Sequence, residues 1–500
     1  MSELTADQAA RTRFREEFHT NFAVSANAGS GKTTAISERL ACLALSPEGA
    51  GLLPHMVVVT FTKKAAAQIR QRARATLLRE LAQRRAEGRP APAQAFEQLD
   101  RAFFGTIHSF CLQLGQRFGA TYGLNLNPTV LEEGDEVWWE EFLEQDAMQF
   151  TAMPVACVEV FLRFLPLGDI FPLARELSPA AAQRFLERAP REGPAAPDER
   201  VLAALQALPA KGRGRENLEA TKRAAADWVR RFHADRGFLP MLRAIGSGER
   251  AQELVQALTA PLKAWLAAAA AALAGELARR YRDYRFERGV QTYADQVEAA
   301  LAVLQHRETL DMIRAEGYRV LLDEAQDTDP QQFAVLVEIT RPPGAAIGDW
   351  PEGGGMPPRP GHFSMVGDGQ QAIYGSRADV RNFLRHLEAF ARGDGGERLE
   401  FQVTFRAPRR AVDFFNAGFP AAFGDQRDHN WGVAPRRRLQ VAYSPLIAAA
   451  ANAEGMVSRL PLAPAAAELH VEPRLAEEVR QIARVLRAGG PAMVDRKSVV

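Results

Sequence analysis

Short apolar runs alternate with helical patterns over much of the chain. Strand-like runs cover residues 22–25, 56–60, 319–322 and 363–366, and polar turns follow them. Strands that alternate with helices in this way predict an α/β fold built on a parallel sheet. Between about 125 and 290, Leu, Ala, Arg and Glu dominate and β-branched runs are few. This change of pattern predicts a helical domain inserted into the α/β fold.

Gly, Pro and a later strand-like pattern suggest the domain boundaries. Pro342–Gly361 is rich in Gly and Pro, which predicts a surface excursion between two strands. A second α/β unit is expected to begin near Leu399, and the chain stops at Val500 inside a developing strand. The predicted division is a first α/β domain at 1–125 and 290–395, an inserted helical domain at 126–289, and an incomplete second α/β domain at 396–500.

Composition and charge narrow the function classes. A chain of 500 residues with 47% hydrophobic and 25% charged residues is typical of a soluble, multidomain globular protein. The formal net charge of +1 gives no overall attraction to nucleic acid, so a polyanion site must be a local basic surface. The three cysteines have no paired metal-ligand spacing and argue against a disulfide framework. The polar N-terminus and the short apolar run Ala264–Leu273 predict a cytoplasmic protein without a signal peptide or membrane span.

The first strand-like run leads into a loop of small residues and then a helix, in the sequence FAVSANAGSGKTT from Phe22 to Thr34. Small residues let backbone N–H groups close around an anion, and the helix adds the positive end of its dipole. In such a loop Lys32 reaches the β- and γ-phosphates of a nucleotide, and the Thr33 hydroxyl holds Mg²⁺. Ala26 stands where the usual pattern has its first glycine, and a chance glycine-rich turn is the alternative. The predicted nucleotide-binding residues here are Ala26, Asn27, Ala28, Gly29, Ser30, Gly31, Lys32, Thr33 and Thr34.

A pair of carboxylates follows the third strand-like run. Residues 317–329 read GYRVLLDEAQDTD, so an apolar strand delivers Asp323 and Glu324 at its end. Asp323 can hold Mg²⁺ through water, and Glu324 can polarise an attacking water molecule. In a parallel sheet these carboxylates and the phosphate loop open on the same edge, where ligands bind. A solvated acidic turn is the alternative.

Further signatures surround these two motifs in a fixed order. They lie at residues 4–8 (LTADQ), 56–72 (MVVVTFTKKAAAQIRQR), 105–111 (GTIHSFC), 366–379 (VGDGQQAIYGSRAD) and 403–406 (VTFR), the last followed by Asn416. Together with the two nucleotide motifs they resemble the UvrD/Rep/AddA/RecB family of superfamily 1 DNA helicases. The form IHSFC is similar to the AddA/RecB exonuclease-subunit branch. The resemblance implies two RecA-like domains, of which the second only begins in this chain.

The resemblance assigns further residues to ATP. Gln8 would hydrogen-bond the adenine, and Phe405 would stack on it. Gln371 would contact the γ-phosphate or the attacking water, and Arg406 would come from the second RecA-like domain to neutralise charge on the γ-phosphate. The alternatives are an exposed Gln8, a core Phe405, a polar loop at Gln371 and a structural salt bridge at Arg406. Since the second domain barely begins, we expect Arg406 to have little scaffold.

The same resemblance implies a site for single-stranded DNA. Binding that tolerates any sequence requires phosphate contacts and aromatic faces. Hydroxyl groups and an imidazole would contact phosphate, while Phe61 and Tyr374 would stack on bases. Core packing is the alternative for these two rings, and a structural histidine is the alternative for His108. The predicted DNA-binding residues are Thr60, Phe61, Thr62, Thr106, His108, Ser109, Tyr374 and Arg377.

Several positions depart from the family pattern. Ser376 stands where the family has a base-stacking aromatic residue, Gln68 replaces a Glu, and Ala378 replaces a Gly. The later motifs of the second RecA-like domain are not in these residues, and no nuclease cluster of carboxylates and lysine is evident.

The sequence therefore predicts an ATP-dependent DNA helicase or translocase for repair or recombination, moving 3′ to 5′ by resemblance. ATP and Mg²⁺ are the expected cofactors. The expected partners are single-stranded or tailed duplex DNA and a nuclease or second helicase subunit. One alternative is a degenerate or truncated ATP- and DNA-binding module that does not unwind; another is a P-loop ATPase with a partner other than DNA. We expect residues 1–500 to bind Mg²⁺-ATP but hydrolyse it poorly, to bind single-stranded DNA weakly and to unwind little.

Overall fold

Parallel strands and surrounding helices make up the chain in its computed structural model, and the fold is α/β as predicted. The structure describes residues 7–90, 92, 94–125, 127–131, 134–145, 150–210, 214–234, 237–244, 246–372, 380–424 and 443–455, with backbone alone at 180 and 421–424. The strands are β1 (Phe22–Ala26), β2 (Met56–Thr60), β3 (Phe103–Thr106), β4 (Thr129–Val130), β5 (Val290–Gln291), β6 (Arg319–Leu322), β7 (Phe363–Gly367), β8 (Glu397–Phe401), β9 (Val403–Thr404) and β10 (Ile447–Ala448).

Eighteen α-helices lie in the part of the chain that the structure describes. They are α1 (Gln8–Glu16), α2 (Lys32–Ala44), α3 (Gly49–Leu52), α4 (Lys63–Ala86), α5 (Ala95–Arg101), α6 (Ile107–Phe118), α7 (Glu136–Gln145), α8 (Val155–Leu162), α9 (Phe171–Glu176), α10 (Pro179–Glu187), α11 (Glu199–Gln206), α12 (Arg215–Ala234), α13 (Glu249–Glu287), α14 (Tyr293–Leu304), α15 (Arg307–Ala315), α16 (Pro330–Thr340), α17 (Val380–Ala391) and α18 (Arg409–Gly424).

Two compact units divide these elements. One unit comprises the described residues of 1–110 and 304–500, and the other comprises those of 111–303. The first unit contains a six-stranded sheet in the order β3-β2-β6-β7-β1-β8. Every neighbouring pair in this sheet is parallel, and Val24 of β1 pairs with Val366 of β7 and Leu399 of β8.

Helices cover both faces of the sheet, which explains the composition of its inner strands. All five residues of β2 and all five of β7 are buried. A strand that is buried on both faces reads as a continuous apolar run rather than an alternating one. The core of this unit includes Phe14, Phe22, Val58, Leu321 and Phe401.

The strand near Leu399 corrects one expectation. We expected it to open a second α/β unit, but β8 pairs in parallel with β1 along Phe22–Ala26 and completes the first sheet. The boundary expected at residue 396 therefore falls in front of a strand that belongs to the sheet of the phosphate loop. The later β9 and β10 form a separate two-stranded parallel pair.

The Gly- and Pro-rich segment 342–361 joins α16 to β7 without a helix or strand of its own. Its Trp350 is buried, and the ring packs edge-on against His386 and Phe390 of α17. The indole N–H donates to an Asp394 oxygen at 3.1 Å. This buried anchor fixes the middle of a segment that the sequence predicts as a surface excursion.

The second unit is built around the 39-residue helix α13. Buried residues of α13, among them Leu273, Leu277 and Tyr281, share a core with Trp139 and Phe161. By length and composition α13 could cross a membrane, but its apolar residues pack in this core. A long, apolar helix is expected at the centre of a helical unit, because it is covered on several sides.

Glu276 of α13 is a buried carboxylate that ties a loop to this helix. It accepts hydrogen bonds from the Thr151 N–H and hydroxyl and from the Ala152 N–H, at 2.7–3.0 Å. Glu276 is 1% exposed. Removal of this buried carboxylate would leave all three donors without their acceptor, and the loss of such hydrogen bonds is costly.

We predict that Glu276→Ala lowers the free energy of unfolding by about 2–4 kcal/mol. Urea titration followed by tryptophan fluorescence would measure the change, since Trp139 and Trp228 lie in the same core. Glu253→Ala, at an exposed position of α13, is the matched control and should change stability by less than about 0.5 kcal/mol. Equal effects of the two substitutions would contradict a role for the Glu276 contacts.

Candidate functional site

The loop between β1 and α2 has two positions at which the backbone conformation favours glycine. Gly29 has φ of 72° and Gly31 has φ of 80°, in the left-handed region that favours glycine. A Cβ atom on Gly29 would lie 2.7 Å from Thr404 Oγ1 and 2.8 Å from Arg406 Cβ. Gly29 is thus required both by its backbone angle and by the close approach of the segment 404–406.

The interior of this loop contains a polar group suited to an anion. Ser30 is fully buried, and its hydroxyl has no hydrogen-bond partner among the described atoms. Buried hydroxyls are normally paired. Gly31 precedes the first residue of α2, so the positive end of the helix dipole also points at the loop. These features fit the phosphates of a nucleotide.

Lys32 forms an ion pair with the carboxylate at the end of β6. Its Nζ lies 3.2 Å from Glu324 Oε2, and the Lys32 side chain is 11% exposed. Gln326 Nε2 donates to the same Glu324 oxygen at 2.9 Å. The structure therefore brings the predicted phosphate-binding lysine and the predicted catalytic carboxylate into direct contact.

Glu324 has a strained backbone. Its φ of 52° is the only positive value at a non-glycine residue in the part of the chain that the structure describes. A left-handed conformation at such a residue costs on the order of 1–3 kcal/mol and is often found at functional sites. Here it occurs at the turn that presents the Glu324 carboxylate to Lys32.

Asp323, the residue before Glu324, is buried. It is 4% exposed, and burial raises the pKa of its carboxyl to about 7, with a further rise from the charge of Glu324. Lys32 and the hydrogen bond from the Glu324 N–H, at 3.0 Å, oppose this rise of the pKa. A nearby cation would stabilise the ionised form, as Mg²⁺ does for its carboxylate ligands.

Gln326 connects the ends of β6 and β7. Its Nε2 donates to Glu324 and to Asp327, and its Oε1 accepts from the Asp368 N–H at 2.9 Å. Asp368 Oδ2 in turn accepts from Gln371 Nε2 at 2.6 Å. Burial raises the pKa of Asp368, against the effects of Gln371 and Lys32. Gln371 was predicted from the sequence as a site residue. The bridging Gln326 and Asp368 were not predicted, although both lie inside the motifs at 317–329 and 366–379.

The segment with Phe405 and Arg406 lies directly on the loop. The Phe405 N–H donates to the Gly29 oxygen at 2.9 Å, and the Asn27 N–H donates to the Phe401 oxygen at 3.1 Å. The Phe405 ring is half exposed and lies 3.8 Å from the position that a Cβ on Gly31 would occupy.

Arg406 has more scaffold than we expected. Asn452 Nδ2 donates to the Thr404 and Ala407 oxygens at 2.8 Å each, so one amide brackets the turn. The strand pair of β9 with β10 supports the same turn. The expectation that Arg406 has little scaffold is wrong for its backbone, because residues 443–455 contact the residues on both sides of it.

Gln8 is the first residue of α1 and is partly buried. The preceding Asp7 accepts from the Val403 N–H at 3.1 Å and forms a two-point ion pair with Arg11 at 2.7 and 2.9 Å. The Arg11 guanidinium lies 5.1 Å from the centre of the Phe405 ring. These contacts hold the start of α1 near the segment that carries Phe405.

The residues predicted to bind DNA lie at the ends of β2 and β3, where Thr60 and Thr106 are paired neighbours. Phe61 is 46% exposed, whereas Thr60 is 1% exposed and its hydroxyl has no partner among the described atoms. The Thr62 hydroxyl accepts from the Ala65 N–H and caps α4. Phe61 is thus an accessible ring, while Thr60 is not on the surface.

The second group of predicted DNA contacts is engaged within the protein. Ser109 Oγ accepts from the Thr106 N–H at 2.9 Å and donates to the Thr106 oxygen at 2.8 Å. His108 Nε2 lies 3.2 Å from Gln332 Nε2, and burial lowers the pKa of His108, so its ring is neutral at pH 7. Tyr374 and Arg377 lie outside the described residues.

The sequence of this chain is similar to a known protein family and to known proteins. The pattern of the UvrD/REP helicase N-terminal domain matches residues 5–391. An ATP-dependent helicase/nuclease subunit of Desulforudis audaxviator is 28% identical over 83% of this chain and 39% of its own length. The protein of the same name from Moorella thermoacetica is 28% identical over 84% of this chain and 35% of its own length. The chain therefore spans well under half the length of these relatives.

The buried carboxyl of Asp323 predicts a pH-dependent stability. It ionises near its ordinary pKa of 3.8 in the unfolded chain but near 7 in the fold. Without nucleotide or Mg²⁺, the parent should lose stability relative to Asp323→Asn as the pH rises from about 4 to about 7. Above that range the difference should stay constant, on the order of 2–4 kcal/mol.

Urea titrations at several pH values would measure this difference. Asp283→Asn, at an exposed aspartate, is the control and should show no such window. A parent that gains stability relative to Asp323→Asn between pH 4 and 7 would contradict the raised pKa.

Proposed function

The chain belongs to the UvrD/REP helicase family, and from this premise we propose that it is an ATP-dependent DNA helicase or translocase of DNA repair or recombination. The observation that supports this most directly is the contact of Lys32 with Glu324 next to the buried Asp323, with Arg406 lying against Gly29 of the same loop. A phosphate-binding loop, a buried carboxylate and an arginine at one edge are what phosphoryl transfer from a nucleotide requires. The relatives are named as helicase/nuclease subunits, which points to the same activity.

The nucleotide would lie across the loop of residues 27–31. Backbone N–H groups and Lys32 would bind the β- and γ-phosphates, and Thr33 with Asp323 would hold Mg²⁺, which neutralises phosphate charge when bound. Gln8 and Phe405 would contact the adenine. Phe405 is suited to this because its half-exposed ring lies against Gly31.

The ion pair of Lys32 and Glu324 suggests how hydrolysis waits for the nucleotide. While Lys32 contacts Glu324 Oε2 at 3.2 Å, and Gln326 Nε2 donates to the same oxygen, that oxygen is engaged within the protein and does not face an attacking water. Phosphate oxygens would draw Lys32 away, and Glu324 would then be released to accept a proton from the attacking water. Gln371 would contact that water or the γ-phosphate, and Arg406 would stabilise the charge that develops on the γ-phosphate.

We extend the proposal to the whole protein. Residues 126–289 would be a helical domain inserted into the first RecA-like domain, and residues beyond β8 would begin the second. Opening and closing of a cleft between RecA-like domains would move single-stranded DNA, 3′ to 5′ by family resemblance. A nuclease or second helicase subunit in the bacterial cytoplasm is the proposed partner. The alternative is a module that binds ATP and DNA without unwinding.

Two assays test the proposal. ATP hydrolysis by the purified chain should rise on addition of single-stranded DNA, and a P-loop ATPase with another partner would not respond. Displacement of a labelled strand from a tailed duplex separates a helicase from a module that only binds. The support that Asn452 gives to Arg406 leads us to expect measurable hydrolysis by residues 1–500.

We predict that Lys32→Ala reduces ATP hydrolysis to background, because no other described side chain on the loop supplies a cation to the phosphates. Phosphate release at saturating ATP would measure the loss. Lys263→Ala, at an exposed lysine on α13, controls for the loss of one positive charge. Hydrolysis by Lys32→Ala at the parent's rate would show that the loop does not act on phosphate.

Glu324→Gln should retain ATP binding but lose turnover, because an amide cannot accept a proton from water. The expected reduction of kcat is about 10²–10⁴-fold, the usual contribution of a general base. Binding of a fluorescent ATP analogue and single-turnover hydrolysis would separate the two effects. A variant that binds nucleotide much more weakly than the parent, but hydrolyses the bound nucleotide at the parent's rate, would indicate a structural role for Glu324.

A further inference from the structure

Helix α4 concentrates positive charge in a chain that is otherwise nearly neutral. It has a single acidic residue, Glu80, while the whole chain has a formal net charge of only +1. All but one of its basic residues are exposed. The basic residues of α4 are Lys63, Lys64, Arg70, Arg72, Arg74, Arg79, Arg84 and Arg85. Such segregation creates the local basic surface that a polyanion needs.

A groove runs along one face of this helix. It has a volume of about 420 Å³ and is lined on the α4 side by Lys63, Arg70 and Arg74 and on the other side by Phe104 and Ser109. Positions seven and four residues apart lie on the same face of a helix. At 1.5 Å per residue, the line of cations from Lys63 to Arg74 extends over about 16 Å.

The groove begins where the predicted DNA residues lie. α4 starts at Lys63, two residues after the exposed ring of Phe61. The opposite wall of the groove consists of Phe104 in β3 and Ser109 in the first turn of α6. A strand whose base stacks on Phe61 would therefore lead its backbone into the groove. Stacking of a base on Phe61 requires an unpaired base, which favours a single strand over a duplex as the occupant.

Asp100 holds the two arginines of the groove in place. Its carboxylate contacts Arg70 at 2.9 Å and Arg74 at 2.5 Å, and all three side chains are at least one-third exposed. The hydrogen bonds from Arg74 and Arg70 lower the pKa of Asp100, so it is charged at neutral pH. Exposed ion pairs contribute little to stability. An arriving phosphate can therefore replace Asp100 as the partner of both guanidinium groups.

We propose that the groove of Lys63, Arg70 and Arg74 binds backbone phosphates of single-stranded DNA and extends the DNA site from Phe61 along α4. The inference rests on the proposed function. It assigns Arg70 and Arg74 as phosphate contacts and Asp100 as the group that competes with DNA for them. Arginine suits this role because its planar fork donates two hydrogen bonds to one phosphate.

The test uses the full chain and a fluorescein-labelled oligo(dT), with anisotropy measured over a series of NaCl concentrations. Arg70→Gln with Arg74→Gln should weaken binding on the order of tenfold and reduce the slope of log K against log salt by about 1.4, the value for two lost phosphate contacts on a single strand. Arg230→Gln with Arg250→Gln removes the same charge from exposed ion pairs of the helical unit and should bind like the parent.

Asp100→Asn provides an effect of the opposite sign. If Asp100 competes with phosphate, this variant should bind oligo(dT) several-fold more tightly than the parent. If the three side chains only stabilise the fold, Asp100→Asn and the double arginine variant should both weaken binding and both lower the unfolding midpoint.

Each remaining outcome has a definite meaning. A parent that binds oligo(dT) together with a double arginine variant of equal affinity and salt slope overturns the groove inference alone. A parent that does not bind oligo(dT) overturns both this inference and the proposed function. A defect of the double variant that is confined to a blunt duplex competitor overturns the assignment to a single strand.

Discussion

The parallel pairing of β1 with β7 on one side and β8 on the other is the constraint on which the site depends. Because all six strands run in the same direction, their carboxyl ends meet at one edge of the sheet. The phosphate loop follows β1, Asp323 follows β6, Asp368 follows β7, and the segment to Arg406 follows β8. Residues that are hundreds of positions apart in the chain thus come within hydrogen-bonding distance. An antiparallel strand at any of these positions would place its polar turn at the opposite edge.

Several charged groups lie close together at this edge, and Asp323 and Asp368 among them are buried. One cation, Lys32, contacts Glu324 directly and lowers the pKa values of Asp323 and Asp368, while burial raises them. The arrangement has an excess of negative charge, which a divalent cation and the movement of Lys32 onto phosphate would rearrange. Both the positive φ of Glu324 and the raised pKa of Asp323 are costs in free energy. Such costs persist where a site serves function rather than stability.

Exposed positive charge is concentrated on one helix of the protein. The net charge of the chain gives no indication of a polyanion partner, yet α4 alone carries a large positive excess. Exposed charges act over about 8 Å at physiological salt, so the local distribution of charge matters more than the net charge of the chain. The α4 groove adjoins the strand ends at which nucleic-acid contacts were predicted from sequence. Some of the residues predicted to make those contacts are not accessible in the structure. Thr60 is buried, and Thr106 and Ser109 bond to each other.

Local sequence patterns were enough to predict the α/β class, the four inner strands of the sheet and the two nucleotide motifs. Inner strands are buried on both faces and so are continuously apolar, and a phosphate loop needs its small residues in consecutive order. Of the two edge strands, β3 was not predicted and β8 was assigned to a second unit. Both have a mixed pattern, because each is only partly buried. Three features became visible in the folded chain alone: β8 joins the first sheet, Asn452 supports the turn at Arg406, and Gln326 links the ends of β6 and β7. These are contacts between distant parts of the chain, and local patterns contain no information about the partner that a strand or amide will find.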